Sequence, residues 1–196
     1  MSRKNLITIV ITGLLLLIIV VAINKRGSAL GILAREISTV TGSSSSTSVS
    51  AKDGATAPEF APGTWINSEG LTLKSLRGRV VLVEFWTFGC YNCRNTLPYV
   101  KRWDERYRDK GLTIVGVHSP EFDEEKNIDN VRRETTSLGI RYPVVTDNDY
   151  ATWRAYNVEA WPTIFILDKE RRIRWTHVGE GAYGEAETMI QKLLAE

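Results

Sequence analysis

The sequence predicts an α/β domain, and three observations carry that prediction. Short apolar runs such as Val80–Trp86 (VVLVEFW) alternate with longer stretches of helical periodicity. The runs are apolar at nearly every position, as strands buried on both faces are. The resulting order, βαβαβαββα, shows no internal repeat and matches an α/β layer architecture.

The folded part is expected over residues 63–196. Trp65–Asn67, the polar Ser68–Gly70 and Leu71–Leu73 read as a small N-terminal β-hairpin. Val80–Trp86 reads as a central strand. Tyr91–Lys110 is a helix carrying Cys93, Leu97, Val100, Trp103 and Tyr107 on one face, with Gly111 as its stop. Leu112–Val117 is a second buried strand. Glu124–Leu138 is a helix through Ile128 and Val131, ended by Gly139. Tyr142–Thr146 is a strand that Pro143 places at a sheet margin. Tyr150–Tyr156 is a short helix. Thr163–Leu167 and Arg172–Val178 are strands joined by the polar turn DKER, and Gly184–Leu194 is a closing helix.

Composition narrows the class. Of the 196 residues, 43% are hydrophobic and 24% charged, the balance of a globular chain. The formal net charge is only +2, with no basic cluster interleaved with aromatics, which argues against a nucleic-acid partner. Leu6–Ile23 carries no charge, and as a helix it would be about 27 Å long, close to the hydrocarbon thickness of a bilayer. Residues 1–26 are therefore expected to be one uncleaved transmembrane anchor; Ala22-Ile23-Asn24 is a poor cleavage site for a signal peptide. A short leading tail before a long domain favours the amino terminus inside and the domain outside the cytoplasmic membrane. Residues 27–62 are expected to form a stalk and a flexible tether. Apolar residues at Leu30, Leu33, Ile37 and Val40 have helical spacing, and Thr41–Pro62 is rich in Ser, Thr, Ala, Gly and Pro.

Both cysteines lie in the stretch Glu84–Cys93 (EFWTFGCYNC). A structural disulfide there would close a very small loop, worth roughly 2 kcal/mol. Structural zinc needs four ligands, and only His118 and His177 accompany the pair, so no metal is expected. The redox reading fits best. Cys90 would sit at a helix amino terminus, where unpaired N–H groups and the positive dipole end favour a thiolate, with Arg94 one turn on. Cys93 would lie one turn inside, as a shielded partner. A thiolate attacks a disulfide, forms a mixed disulfide, and is released when the second thiol attacks.

Phe85-Trp86 ahead of Cys-x-x-Cys, Pro98 five residues after Cys93, Trp161-Pro162-Thr163 and Gly179 together resemble the thioredoxin superfamily. Within it the sequence looks like the membrane-anchored TlpA/ResA/DsbE-like branch, over about residues 58–196. The W-T-x-x-C-x-N-C form also resembles the thioredoxin-like domain of DipZ-type proteins. The resemblance implies a thioredoxin-like fold with a strand–helix insertion between His118 and Thr146. It implies catalytic roles for Cys90, Cys93 and Pro162, with a cis bond before Pro162. It also implies a redox-active disulfide between the cysteines and substrate contacts at Trp86, Tyr91, Trp161 and Pro162. Glu84, six residues before Cys90, matches the buried acid of thioredoxins and would relay a proton to Cys93. No cofactor is implied. The implied partners are protein thiol and disulfide substrates, among them apocytochrome c, and a CcdA-like membrane electron donor. Tyr91-Asn92 replaces the Gly-Pro of thioredoxins, which leaves the direction of electron flow open. Two rival functions remain at this point. Thr87, three residues before Cys90, suggests a thiol peroxidase, although Val83 stands where that motif has proline. The other is a redox-inert peptide-binding module.

Overall fold

The computed structural model describes residues 54–196; the expected anchor and the tether up to residue 53 lie outside the described residues. One six-stranded mixed sheet organises the domain. Its strands are β1 (Trp65–Ile66), β2 (Val80–Trp86), β3 (Leu112–His118), β4 (Val144–Thr146), β5 (Thr163–Leu167) and β6 (Ile173–Val178), in the order β1-β4-β3-β2-β5-β6. β2, β3 and β4 run parallel, whereas β5 pairs antiparallel with β2, β6 with β5, and β1 with β4. All seven residues of β2 are buried, because it lies between β3 and β5 with both faces covered.

The two faces follow from the period-2 alternation of a strand. Val80, Leu82 and Trp86 join the core under α1 (Tyr91–Tyr107), α2 (Ile128–Ser137) and α4 (Tyr183–Ala195). Val81, Val83 and Phe85 face a second cluster with Ala57, Leu73, Leu76, Tyr156 and Val158, the last two around and just after α3 (Ala151–Ala155). Phe85 packs there against Trp153, Tyr156 and Phe165 at centroid distances of 5.3–6.0 Å.

The expected elements are present with three differences. First, the long helices are shorter than expected: α1 ends early in a 3₁₀ turn at Arg108–Lys110, and α2 starts late, after one at Asp123–Lys126. Second, the hairpin at Trp65–Leu73 does not form. β1 pairs instead with β4, Trp65 opposite Val145, and residues 73–78 fold as turns that bury Leu73 and Leu76. The Glu59 carboxylate accepts from Leu73 N at 2.7 Å and Lys74 N at 3.0 Å, so these amides are paired without a strand partner. Third, β4 is not the margin of the sheet, because β1 covers it. The packed chain also reaches back before residue 63. Thr56 bridges Arg172, Ala57 is buried, and Ala61 N donates to Thr152 Oγ1 at 3.0 Å.

Glu59 holds this amino-terminal wrap by capping two amides and pairing with Arg171 at 3.2 Å. Glu59→Ala is expected to lower the unfolding free energy by about 1 kcal/mol, read as a reduced denaturant midpoint with an unchanged slope.

Candidate functional site

β2 delivers the chain to the site. The strand ends at Trp86, a three-residue loop follows, and Cys90 caps α1 with extended backbone angles (φ −70°, ψ 119°). Its Sγ is the capping acceptor, receiving Cys93 N–H at 3.2 Å. The two cysteines are joined as a disulfide with Cα atoms 5.3 Å apart. Cys90 is half-buried and Cys93 fully buried, the asymmetry expected of residues at the start and inside the first turn of one helix. Pro98 lies inside α1, removing the N–H that would bond the Arg94 carbonyl.

The loop before Cys90 is held from both ends. Arg94 Nε donates to the Phe88 carbonyl at 2.8 Å. From the 3₁₀ turn after β3, the buried Glu125 carboxylate accepts from Gly89 N at 2.8 Å with one oxygen and from Phe122 N at 3.1 Å with the other. A side chain at Gly89 would run into that carboxylate, so the contact needs glycine there.

Glu84 lies on the helix-covered face of β2, fully buried. Burial pushes its carboxyl up to about 8, partly offset by the Tyr142 hydroxyl, which donates to Oε2 at 3.0 Å. Oε1 has no partner among the described residues. Gly116, opposite Glu84 in the sheet register, makes room: a Cβ there would sit 2.8 Å from Trp86 Nε1 and 3.2 Å from Tyr142.

The Trp161–Pro162 peptide is cis. Trp161 Nε1 donates to Ser119 O at 3.0 Å, and its ring packs on Trp153 with centroids 4.4 Å apart. Gly179 N–H donates to the Pro162 carbonyl at 2.7 Å, while the Trp161 backbone has no backbone partner among the described residues. Cys90, Tyr91 and Trp161 line one groove together with Phe122 and Glu121 of the insertion.

Two sequence expectations change. Trp86 cannot touch a substrate: it is fully buried, its side chain turned inward by the alternation that also buries Val80 and Leu82, and packed edge-on against His118. Thr87 does not face the groove either. It is buried and hydrogen-bonds His118 Nε2 at 3.2 Å, and burial lowers the His118 pKa to about 4, so the imidazole is neutral at pH 7. The Thr87 hydroxyl is thus engaged away from Cys90, which weakens the peroxidase reading. Sequence reasoning missed Glu125 and Tyr142. Glu125 sits in an acidic run, Glu121–Glu125, that reads as a solvated face; Tyr142 precedes Pro143 and reads as a strand residue.

A mixed sheet with a CxxC pair at the junction of its central strand and a helix, facing a cis-proline loop, defines a thioredoxin-like protein of the thiol–disulfide oxidoreductase class. More specifically, the chain belongs to the Redoxin family, whose profile matches residues 52–192. It is 43% identical over 143 residues to the protein DipZ of Mycobacterium tuberculosis, matching 71% of this chain and 21% of that protein. The chain thus spans about a fifth of the length of that relative. It is 27% identical to the thiol-disulfide oxidoreductase ResA of Bacillus thuringiensis, matching 71% of this chain and 78% of that one. Among solved structures, a thiol-disulfide isomerase of Corynebacterium glutamicum superposes with a TM-score of 0.65 at 27% identity. That alignment covers 71% of this chain and 97% of the isomerase.

Glu84 gives the domain a pH signature. The unfolded carboxyl ionises near 4.5 and the folded one near 8. Between those values the folded state keeps a proton the unfolded state has lost, so stability falls as pH rises through this window. Glu84→Gln should flatten that fall by on the order of 2–4 kcal/mol between pH 5 and pH 8, read from denaturant unfolding of the disulfide form. A second variant probes the loop. Glu125→Ala strands the Gly89 and Phe122 amides and should cost about 1–3 kcal/mol, with faster hydrogen exchange at Gly89.

Proposed function

We propose that this protein is a membrane-tethered reductant of disulfides in exported proteins, with its domain on the extracytoplasmic side. The observation that carries the redox assignment is the Cys90 sulfur capping α1 by accepting Cys93 N–H. Once reduced, Cys90 is the attacking group, because backbone donors and the helix dipole favour its thiolate. The thiolate attacks one sulfur of a substrate disulfide, and the other substrate sulfur leaves with a proton. Cys93, as thiolate, then attacks Cys90 Sγ and expels the second substrate thiol. The domain disulfide forms as the substrate gains two electrons. Glu84 takes the Cys93 proton in this step and returns it when the pair is reduced again. A carboxyl near 8 populates both forms around neutral pH.

An extended substrate would pair with the unpartnered backbone of Trp161 as an added strand beside Cys90. The uncharged span Leu6–Ile23 supports the anchor, the likeness to the thiol-disulfide oxidoreductase ResA supports disulfide chemistry, and the resemblance to the TlpA/ResA/DsbE-like branch implies exported thiols, apocytochrome c among them, as substrates. The space outside a bacterial membrane is oxidising, so a reductant there needs a constant electron supply. A CcdA-like membrane dithiol carrier is the implied donor, and tethering raises its effective concentration. The reducing direction is supported by Arg94, which spends its Nε–H on the Phe88 carbonyl rather than on sulfur, so that thiolate stabilisation at Cys90 is left to the backbone donors and the helix dipole.

Four outcomes are expected. The reduction potential should lie near that of thioredoxin, about −270 mV, with the pair largely reduced in growing cells. A potential near −120 mV with the pair oxidised in cells would make the protein an oxidase. In Cys93→Ser, mixed disulfides on Cys90 should accumulate with client proteins. Carbonate-washed membranes should retain the full chain; a soluble product starting near residue 24 would show a cleaved signal peptide instead.

A further inference from the structure

The groove at Cys90 has a chemical character of its own. Tyr91, immediately after the cysteine, is 76% exposed, and Phe122 of the insertion is 52% exposed; few other large apolar side chains of the described domain are so bare. With Trp161 they line a hollow open to solvent beside Cys90. Two carboxylates share this lining, Glu121 beside Phe122 and Glu159 two residues before Trp161. Both are exposed and neither forms a salt bridge among the described residues.

None of the neighbouring cations lines the groove. Lys126 pairs with Asp123 at 2.7 Å, and Arg94 holds Phe88 O. Arg154 does not line this groove; it lines the adjoining hollow together with Glu159. Among the described residues that line the groove, the two carboxylates are the only charged side chains, on a chain whose formal net charge is +2.

We infer that the groove selects disulfide partners whose cysteine lies in an extended, basic segment, with an aromatic or large apolar residue and a lysine or arginine within two residues of it. This rests on the oxidoreductase reading above and names its substrate class. Two residues of extended chain span about 6–7 Å, enough to carry a side chain from Cys90 to the aromatic wall. Burying one large side chain against that wall stabilises the encounter, since apolar area removed from water is worth about 25 cal/mol per Å². The two rim carboxylates act mainly on encounter rate and partner choice, as exposed charges at the edge of an interface do. An acidic segment meets the same carboxylates as like charges.

The test uses the reduced full-length chain and synthetic peptides, each with one cysteine as a mixed disulfide with 2-mercaptoethanol. The peptides place Ala only, Phe, Phe with Lys, or Phe with Glu around the cysteine, and the readout is the second-order rate constant of reduction. The Phe–Lys peptide should react at least about fivefold faster than the Phe–Glu peptide at 0.05 M salt. At 1 M salt, where screening acts over about 3 Å, the gap should close. It should also close in the Glu121→Gln/Glu159→Gln double variant, and Phe122→Ala should remove the advantage of Phe over Ala. Equal rates for Lys and Glu peptides, or a gap that survives the double variant, would overturn the inference while leaving the oxidoreductase reading standing. Failure to reduce every peptide, the Ala peptide included, would overturn both.

Discussion

The constraint on which the site depends is the burial of β2. All seven residues of the strand are enclosed, three apolar side chains on each face and Glu84 among those beneath α1. A strand so fixed leaves little freedom to the three residues that follow, and the helix begins where the strand ends. Cys90 is consequently a helix cap and Cys93 a core residue. The difference between the two thiols is a property of their positions, not of their side chains.

The rest of the site adjusts that arrangement. Glu125 reaches from the 3₁₀ turn after β3 to the amide just before Cys90, so the segment between β3 and α2 also braces the active loop. The same segment brings Phe122 and Glu121 to the groove. Beneath the helix, Glu84 shares its pocket with Tyr142 and the Trp86 indole, whose Nε1 is also without a partner among the described residues. A buried carboxyl is costly when ionised, which is why Glu84 holds its proton well above the usual carboxylate range.

Much of this was legible in the sequence because it is locally encoded. The apolar run of β2, the helical face through Cys93 and Trp103, and the Trp161-Pro162-Thr163 motif need only nearby residues to be read. The failures involve partners far apart in the chain. β1 pairs with β4 about eighty residues later, and nothing near Trp65 announces it. Leu71–Leu73 alternates like a strand, yet Leu73 is drawn beneath the sheet by burial and its amide is taken by Glu59. Trp86 is a different failure. Its neighbours Val80 and Leu82 set the phase of the alternation and point it inward, but its proximity to the cysteines suggested contact with substrate. Glu125 was illegible in principle: four acids share its short run, and only the fold selects the one that turns in to meet Gly89.

The central claim is that position alone divides the two thiols into an attacking and a resolving group. Competitive alkylation of the reduced protein across pH 5–9, with each cysteine's labelling resolved by peptide mass mapping, tests it directly. The account predicts that Cys90 is labelled first at every pH and that Cys93 reacts only after Cys90 is blocked or the helix is unfolded. Equal labelling of the two, or earlier labelling of Cys93, would contradict it.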